Sequence, residues 1–70
     1  MKYVFPERIK ELRIERNLSV NELAKEIGVS GAAVSRWENC IRIPNLDNIY
    51  NLAKFFDVSA DYLIGLTDFE

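Results

Sequence analysis

Few side chains in this sequence can do covalent or metal chemistry. It has no histidine and one cysteine, Cys40, so no imidazole base, Cys/His or Ser/His pair, or clustered zinc-ligand set can be assembled. The three glycines are scattered and form no phosphate-cradling loop. Eleven carboxylates remain for acid–base work, but nothing in their spacing sets one pair apart. These residue types point away from an enzyme, and no metal, cofactor or small-molecule ligand is expected. Cys40 alone cannot close an intrachain disulfide and is expected to be a surface thiol.

What remains is charge and hydrogen bonding. The formal net charge of −2 looks unsuited to an anionic partner, but it is unevenly distributed. Residues 1–42 hold eight cations (Lys2, Arg8, Lys10, Arg13, Arg16, Lys25, Arg36 and Arg42) against six glutamates. Residues 43–70 hold only Lys54 against Asp47, Asp57, Asp61, Asp68 and Glu70. Local potential, not total charge, steers a polyanion, so the split permits contact with nucleic acid without requiring it.

Seventy residues allow one domain, expected over 1–70 with its core at about 5–66, and a chain this short buries only roughly 60% of its unfolded surface. Hydrophobic residues make up 49% of the chain, too many for disorder, and no apolar run reaches the roughly 18 residues of a membrane span. Charged Glu7 and Arg8 follow Pro6 directly, so the N-terminus lacks a secretion signal and a cytoplasmic location is expected.

Periodicity and punctuation predict an all-α chain of five short helices. The first starts near Pro6, presents Phe5, Ile9 and Leu12 on one face, and ends at Asn17, which tolerates left-handed backbone. Ser19 caps the second, Glu22 completes a capping box, Leu23 and Ile27 face inward, and Gly28 stops it. Ser30 caps the third, which runs to about Asn39. Asn45 caps a fourth with a stripe of Leu46, Ile49, Leu52, Ala53 and Phe56. Ser59 caps a fifth carrying Tyr62, Leu63 and Ile64, ended by Gly65.

Residues 20–37 have the spacing that two helices need to cross steeply over a three-residue turn. Ala24 is small at the crossing, Gly28 can take the positive φ the turn demands, and Val34 packs the third helix on the second. With capping serines at 19 and 30 this is a fairly specific helix-turn-helix signal. Trp37 is expected in the core where the third helix meets the fourth.

The sequence resembles the Cro/lambda-repressor-like family, also called the xenobiotic-response-element family, across about residues 5–66. The stretches that carry the resemblance are Arg8-Ile9-Lys10-Glu11-Leu12-Arg13, Leu18-Ser19 with Glu22-Leu23-Ala24, Ile27-Gly28-Val29-Ser30, Val34-Ser35-Arg36-Trp37-Glu38-Asn39, and Val58-Ser59-Ala60-Asp61-Tyr62-Leu63. The resemblance implies a compact five-helix domain acting as a small transcriptional regulator, most often a repressor. It would bind double-stranded DNA with the recognition helix, residues 30–39, in the major groove. It also implies a homodimer, at least on DNA, reading two-fold symmetric half-sites.

By position, the resemblance puts Gly31, Ala32, Ser35 and Arg36 toward base edges, with Arg36 as the guanine reader. Ser19, Val20, Asn21, Asn39 and Arg42 fall near phosphates, where capping and solvation are their plain alternatives. Arg13 and Glu38 resemble the family's ion pair between the first and third helices. Ile43, Pro44, Tyr62, Leu66 and Phe69 would form the dimer contact, although Tyr62 could instead cover its own core.

Departures from the family pattern thin this surface. Val20 stands where a phosphate-binding glutamine is usual, and Gly31 and Ala32 replace longer polar residues. Ile41 and Ile43 flank Arg42 where cations are common, and Cys40 replaces a glycine, at a cost if its φ is positive. Two readings therefore stay open. One is sequence-specific DNA binding, with Ala32 against a thymine methyl and Arg36 supplying polar readout. The other is a helix-turn-helix used as a protein-interaction module, with Ile41, Ile43, Tyr62, Leu66 and Phe69 as its docking patch.

Overall fold

Side-chain caps decide where four of the five helices begin. In the computed structural model, which describes residues 3–70, the elements are α1 (Phe5–Glu15), α2 (Val20–Ile27), α3 (Gly31–Glu38), α4 (Leu46–Phe56) and α5 (Ala60–Ile64), with no strand among the described residues. Ser19, Ser30, Asn45 and Ser59 sit in extended backbone, and the side-chain oxygen of each accepts a hydrogen bond of 2.8–3.1 Å from the N–H three residues on. Glu22 returns the favour to Ser19, whose N–H it accepts at 2.8 Å, closing the capping box. α1 has no side-chain cap and starts with Pro6 in its first turn, where a missing N–H costs nothing.

Four positive-φ residues turn the chain after helices: Asn17 (58°), Gly28 (77°), Asp57 (56°) and Gly65 (93°). Asp57 was not expected in this role, though its short polar side chain suits left-handed backbone. Cys40 also has φ of 63°, so the side chain at this usual glycine position does carry the anticipated strain.

Each helix contributes one fully buried side chain to a shared core: Ile9, Leu23, Val34, Leu52 and Leu63. α2 packs on α3 and α4, α1 packs on α3 and α5, and α4 packs on α5, which closes the five helices around that core. Burying each of these side chains contributes roughly 1.5–3 kcal/mol. Trp37 is buried as the sequence suggests, but the aromatic ring it meets edge-on is that of Phe5 in α1. The α4 stripe is shorter than its periodicity implies. Leu52 and Phe56 are buried, but Leu46, the first residue of α4, is 80% exposed.

Arg8 ties the C-terminal segment to α1. Its guanidinium donates to the carbonyls of Tyr62 and Thr67, the latter at 2.6 Å, pairs with Asp68 at 2.9 Å, and lies 4.2 Å from the centroid of the Tyr62 ring. Ser59 N–H donates to the Glu70 carbonyl at 2.9 Å, so the chain end folds back on the start of α5.

The capping box carries a pH dependence. Accepting the N–H of Ser19, and then its interaction with the Ser19 hydroxyl, holds the Glu22 carboxyl below its ordinary value of 4.5. A depressed carboxyl pKa stabilises the fold above the ordinary value and ceases to do so as pH falls through the depressed one. Wild type is therefore expected to melt above Glu22→Gln at neutral pH, with the gap closing below about pH 4.5. A gap unchanged at about pH 2 in thermal melts would remove the carboxylate from this role.

Candidate nucleic-acid interface

α2 and α3 are joined by Gly28, Val29 and Ser30. Gly28 is required here for its backbone conformation, since a Cβ at that position would meet nothing within 4 Å. Val29 N–H donates to the Ala24 carbonyl at 2.9 Å, a C-terminal cap that turns the chain straight into the Ser30 N-cap. Val34 and Trp37 then anchor the inner face of α3, leaving positions 31, 32, 35, 36 and 39 on its other side.

That outer face is open. Ala32, Arg36 and Asn39 are exposed, and Gly31 and Ser35 are half-buried. Asn39 folds back, its amide donating to the Ser35 carbonyl at 2.8 Å and the Ser35 hydroxyl at 3.3 Å. The Arg36 guanidinium has no ion pair among the described residues, while the Arg36 carbonyl accepts the N–H groups of Ile41 and Arg42. The base-facing set of the sequence reading thus shares one surface, with Arg36 as its only charge.

Glu38, the one acid in α3, is turned away from that surface. Arg13 grips it through two parallel hydrogen bonds, Nε to Oε2 at 2.7 Å and Nη2 to Oε1 at 2.9 Å. The two side chains are only 13% and 7% exposed. The remaining Arg13 nitrogen donates to the Leu18 carbonyl at 2.8 Å, so one guanidinium fastens the ends of α1 and α3 and the entry to α2. The hydrogen bond to Glu38 raises the Arg13 pKa against the opposing effect of burial.

Among the residues expected near phosphates, Ser19 and Asn21 are exposed at the start of α2 and Arg42 is exposed beyond α3. Val20 is different. Its side chain packs against the core, so only its backbone N–H, in the first turn of α2, can serve an anion. The Ser19 N–H is already taken by Glu22. A side chain on Gly31 would collide with Asn21, whose Oδ1 lies 1.9 Å from where the Cβ would be.

The expected dimer residues differ in exposure. Ile43, Leu66 and Phe69 are exposed, at 70%, 75% and 84%. Tyr62 is half-buried beneath Arg8, and Pro44 is buried by its own chain. The sequence also overstated the free basic charge. Arg8 is spent on the chain end, Arg13 on Glu38, and Arg16 on the Phe55 carbonyl at 2.9 Å and the rings of Phe55 and Phe56. Lys2 lies outside the described residues. The family resemblance marked the Arg13–Glu38 pair, but no sequence signal marks the uses of Arg8 and Arg16, whose partners stand 39 to 60 positions away.

Two capped helices over a three-residue turn, the second projecting an uncovered cationic face, define a helix-turn-helix DNA-binding domain of the kind that transcription regulators carry. A family model described as helix-turn-helix matches residues 9–63, and the chain belongs to this family, in its Cro/C1-type branch. The family is one of DNA-binding transcription regulators and is not an enzyme class. The chain is 35% identical over 65 residues to the uncharacterized HTH-type transcriptional regulator YobD of Bacillus subtilis (strain 168), a match covering 93% of this chain and 58% of that protein. It is 38% identical over 58 residues to repressor protein C2 of Salmonella phage P22, covering 83% of this chain and 27% of that repressor. It thus spans about half the length of the first relative and about a quarter of the second. The crystal structure of the P22 c2 repressor in complex with a synthetic operator superposes with a TM-score of 0.82 at 37% identity, covering 86% of this chain and 91% of that one.

The Arg13–Glu38 pair yields a stability prediction. Glu38→Ala leaves the Arg13 charge covered and unpaired and should cost about 3 kcal/mol in urea denaturation, whereas Arg13→Met with Glu38→Leu should recover most of that loss. A single-variant cost below about 1 kcal/mol would mean the pair behaves as if on the open surface.

Proposed function

We propose that this chain binds a two-fold symmetric operator as a homodimer and represses transcription there, with α3 inserted in the major groove. The observation that carries this reading is the outer face of α3: Arg36 is exposed and unpaired while Glu38, the neighbouring acid, is locked inward. A similar fold engages operator DNA in the P22 c2 repressor. Arg36 reads guanine through its planar fork, Ala32 meets a thymine methyl, and Ser35 and Gly31 let the helix approach closely. Asn39, Arg42, the Ser19 hydroxyl and the first-turn N–H groups of Val20 and Asn21 rest against phosphates. The chain acts as one unit with its core over about 5–66.

The dimer contact lies on Ile43, Leu66 and Phe69, with Tyr62 at its edge. Exposed apolar side chains of this size favour a partner surface, and an isologous contact matches a two-fold operator. No helix among the described residues is long and apolar enough to cross a membrane, and DNA as partner favours the cytoplasm. The same apolar residues, with Ile41, support the second reading, a protein-interaction module. Anisotropy titrations at two salt concentrations separate the two: a folded sample with no salt-sensitive duplex binding would leave only the second.

Two substitutions sort the DNA contacts. Arg36→Ala should lose roughly 1–3 kcal/mol of discrimination at one guanine per half-site. Arg42→Ala should weaken all duplexes alike and lower the log–log salt slope by about 2 per dimer. Equal effects of the two on every sequence would overturn the assignment of Arg36 as a base reader. For the dimer, Leu66→Asp with Phe69→Asp should leave half-site affinity unchanged and abolish cooperative binding to a full operator. Unchanged cooperativity in gel-shift titrations would move the interface elsewhere.

A further inference from the structure

The start of α3 brings a side chain of α2 into the place of a missing one. Gly31 is the first residue of α3, the position nearest the base edges when a recognition helix enters a groove end-on, and it has no side chain. The space is filled from the other helix. A Cβ built on Gly31 would lie 1.9 Å from Asn21 Oδ1, where two atoms cannot coexist, and 3.1 Å from Asn21 Cγ, a tight contact. The Asn21 carboxamide therefore stands where the first side chain of α3 would stand.

Three further observations bear on what that carboxamide does. It is exposed, and among the described residues it takes part in no hydrogen bond, so its two donors and its acceptor are all available. It does not cap α2, because Ser19 and Glu22 close that helix start between them. And Val20, the preceding residue, turns into the core, while Asn21 points outward beside the exposed Glu22.

We propose that Asn21 is a specificity-determining residue that reads a base edge from α2, with Gly31 as the slot that admits it. This rests on the DNA-binding reading above and assigns the Asn21 side chain to a base, leaving its backbone N–H to the phosphate. A carboxamide matches adenine best, accepting from N6 and donating to N7 as a planar pair. The base it reaches is at the end of the half-site facing the N-terminus of α3, while Arg36, more than a turn along the helix, reads nearer the other end. Gly31 and Ala32 both serve this arrangement, since neither holds the α3 backbone away from the groove floor.

The test is site selection from a random duplex library with the full chain, followed by affinities on the selected duplex and its single-base variants. Wild type should show an adenine preference at one position per half-site, roughly tenfold or more over other bases. Asn21→Ala should erase that preference and leave the Arg36-dependent guanine preference intact. Gly31→Ala should have the same effect, since its methyl group evicts the carboxamide, and both variants should keep the wild-type helical circular dichroism and cooperative melt. If Asn21→Ala weakens all duplexes by one common factor with every base preference retained, Asn21 is a phosphate contact and the proposal fails. It fails equally if Gly31→Ala, folded, keeps the full adenine preference. A folded wild type that selects no sequence overturns the DNA-binding reading itself, an outcome distinct from both.

Discussion

The bidentate hydrogen bond between Arg13 and Glu38 is the constraint on which the arrangement of the other parts depends. It joins the last turn of α1 to the last turn of α3, and through the Leu18 carbonyl it also holds the entry to α2. A largely buried ion pair contributes little net stability, because desolvation of both charges offsets their attraction. Its contribution is directional. Two parallel bonds of fixed length admit one rotation of α3 about its axis, and that rotation sends Arg36 outward and Glu38 inward. Were Glu38 free on the surface, its charge would stand two positions from Arg36 and oppose approach of a phosphate backbone.

The same economy runs through the other arginines. Arg8, Arg13 and Arg16 each satisfy carbonyls or a carboxylate of their own chain, and two of them also lie against aromatic rings. Arginine suits such positions, because its weakly hydrated, planar head can be partly desolvated and still saturate several acceptors. The consequence for recognition is a small free basic surface, which in and beside the helix-turn-helix consists of Lys25, Arg36 and Arg42. Non-specific affinity scales with the phosphates neutralised, so such a surface depends more on fit at the base edges than a strongly basic one would.

Most of the fold was legible because its determinants are local. Ser19, Ser30, Asn45 and Ser59 cap at the residues the sequence marks, Gly28 and Gly65 take left-handed backbone, and Ala24 and Val34 sit buried at the helix crossing. The outer face of α3, with residues 31, 32, 35 and 36, was legible through the family resemblance. What could not be read depends on residues distant in sequence. Arg8 looks like any other cation until Thr67 and Asp68 are brought to it. Pro44 and Leu46 exchange roles because burial depends on where neighbouring helices end, which periodicity does not encode. The contact of Asn21 with Gly31 arises from an absent side chain, and only the crossing of two helices makes that absence visible.

An eight-residue helix is roughly 12 Å long and too short to persist alone in water. α3 therefore takes its order from Ser30 at its start, from Val34 and Trp37 on its inner face, and from the Glu38 tie at its end. None of these is an exposed groove-facing residue. Stability and the outward surface are thus assigned to different side chains of the same short element, so exchanging residues 32 or 36 changes the exposed face at little cost to the core. Position 31 differs in that any side chain larger than glycine must first displace the Asn21 carboxamide of the neighbouring helix.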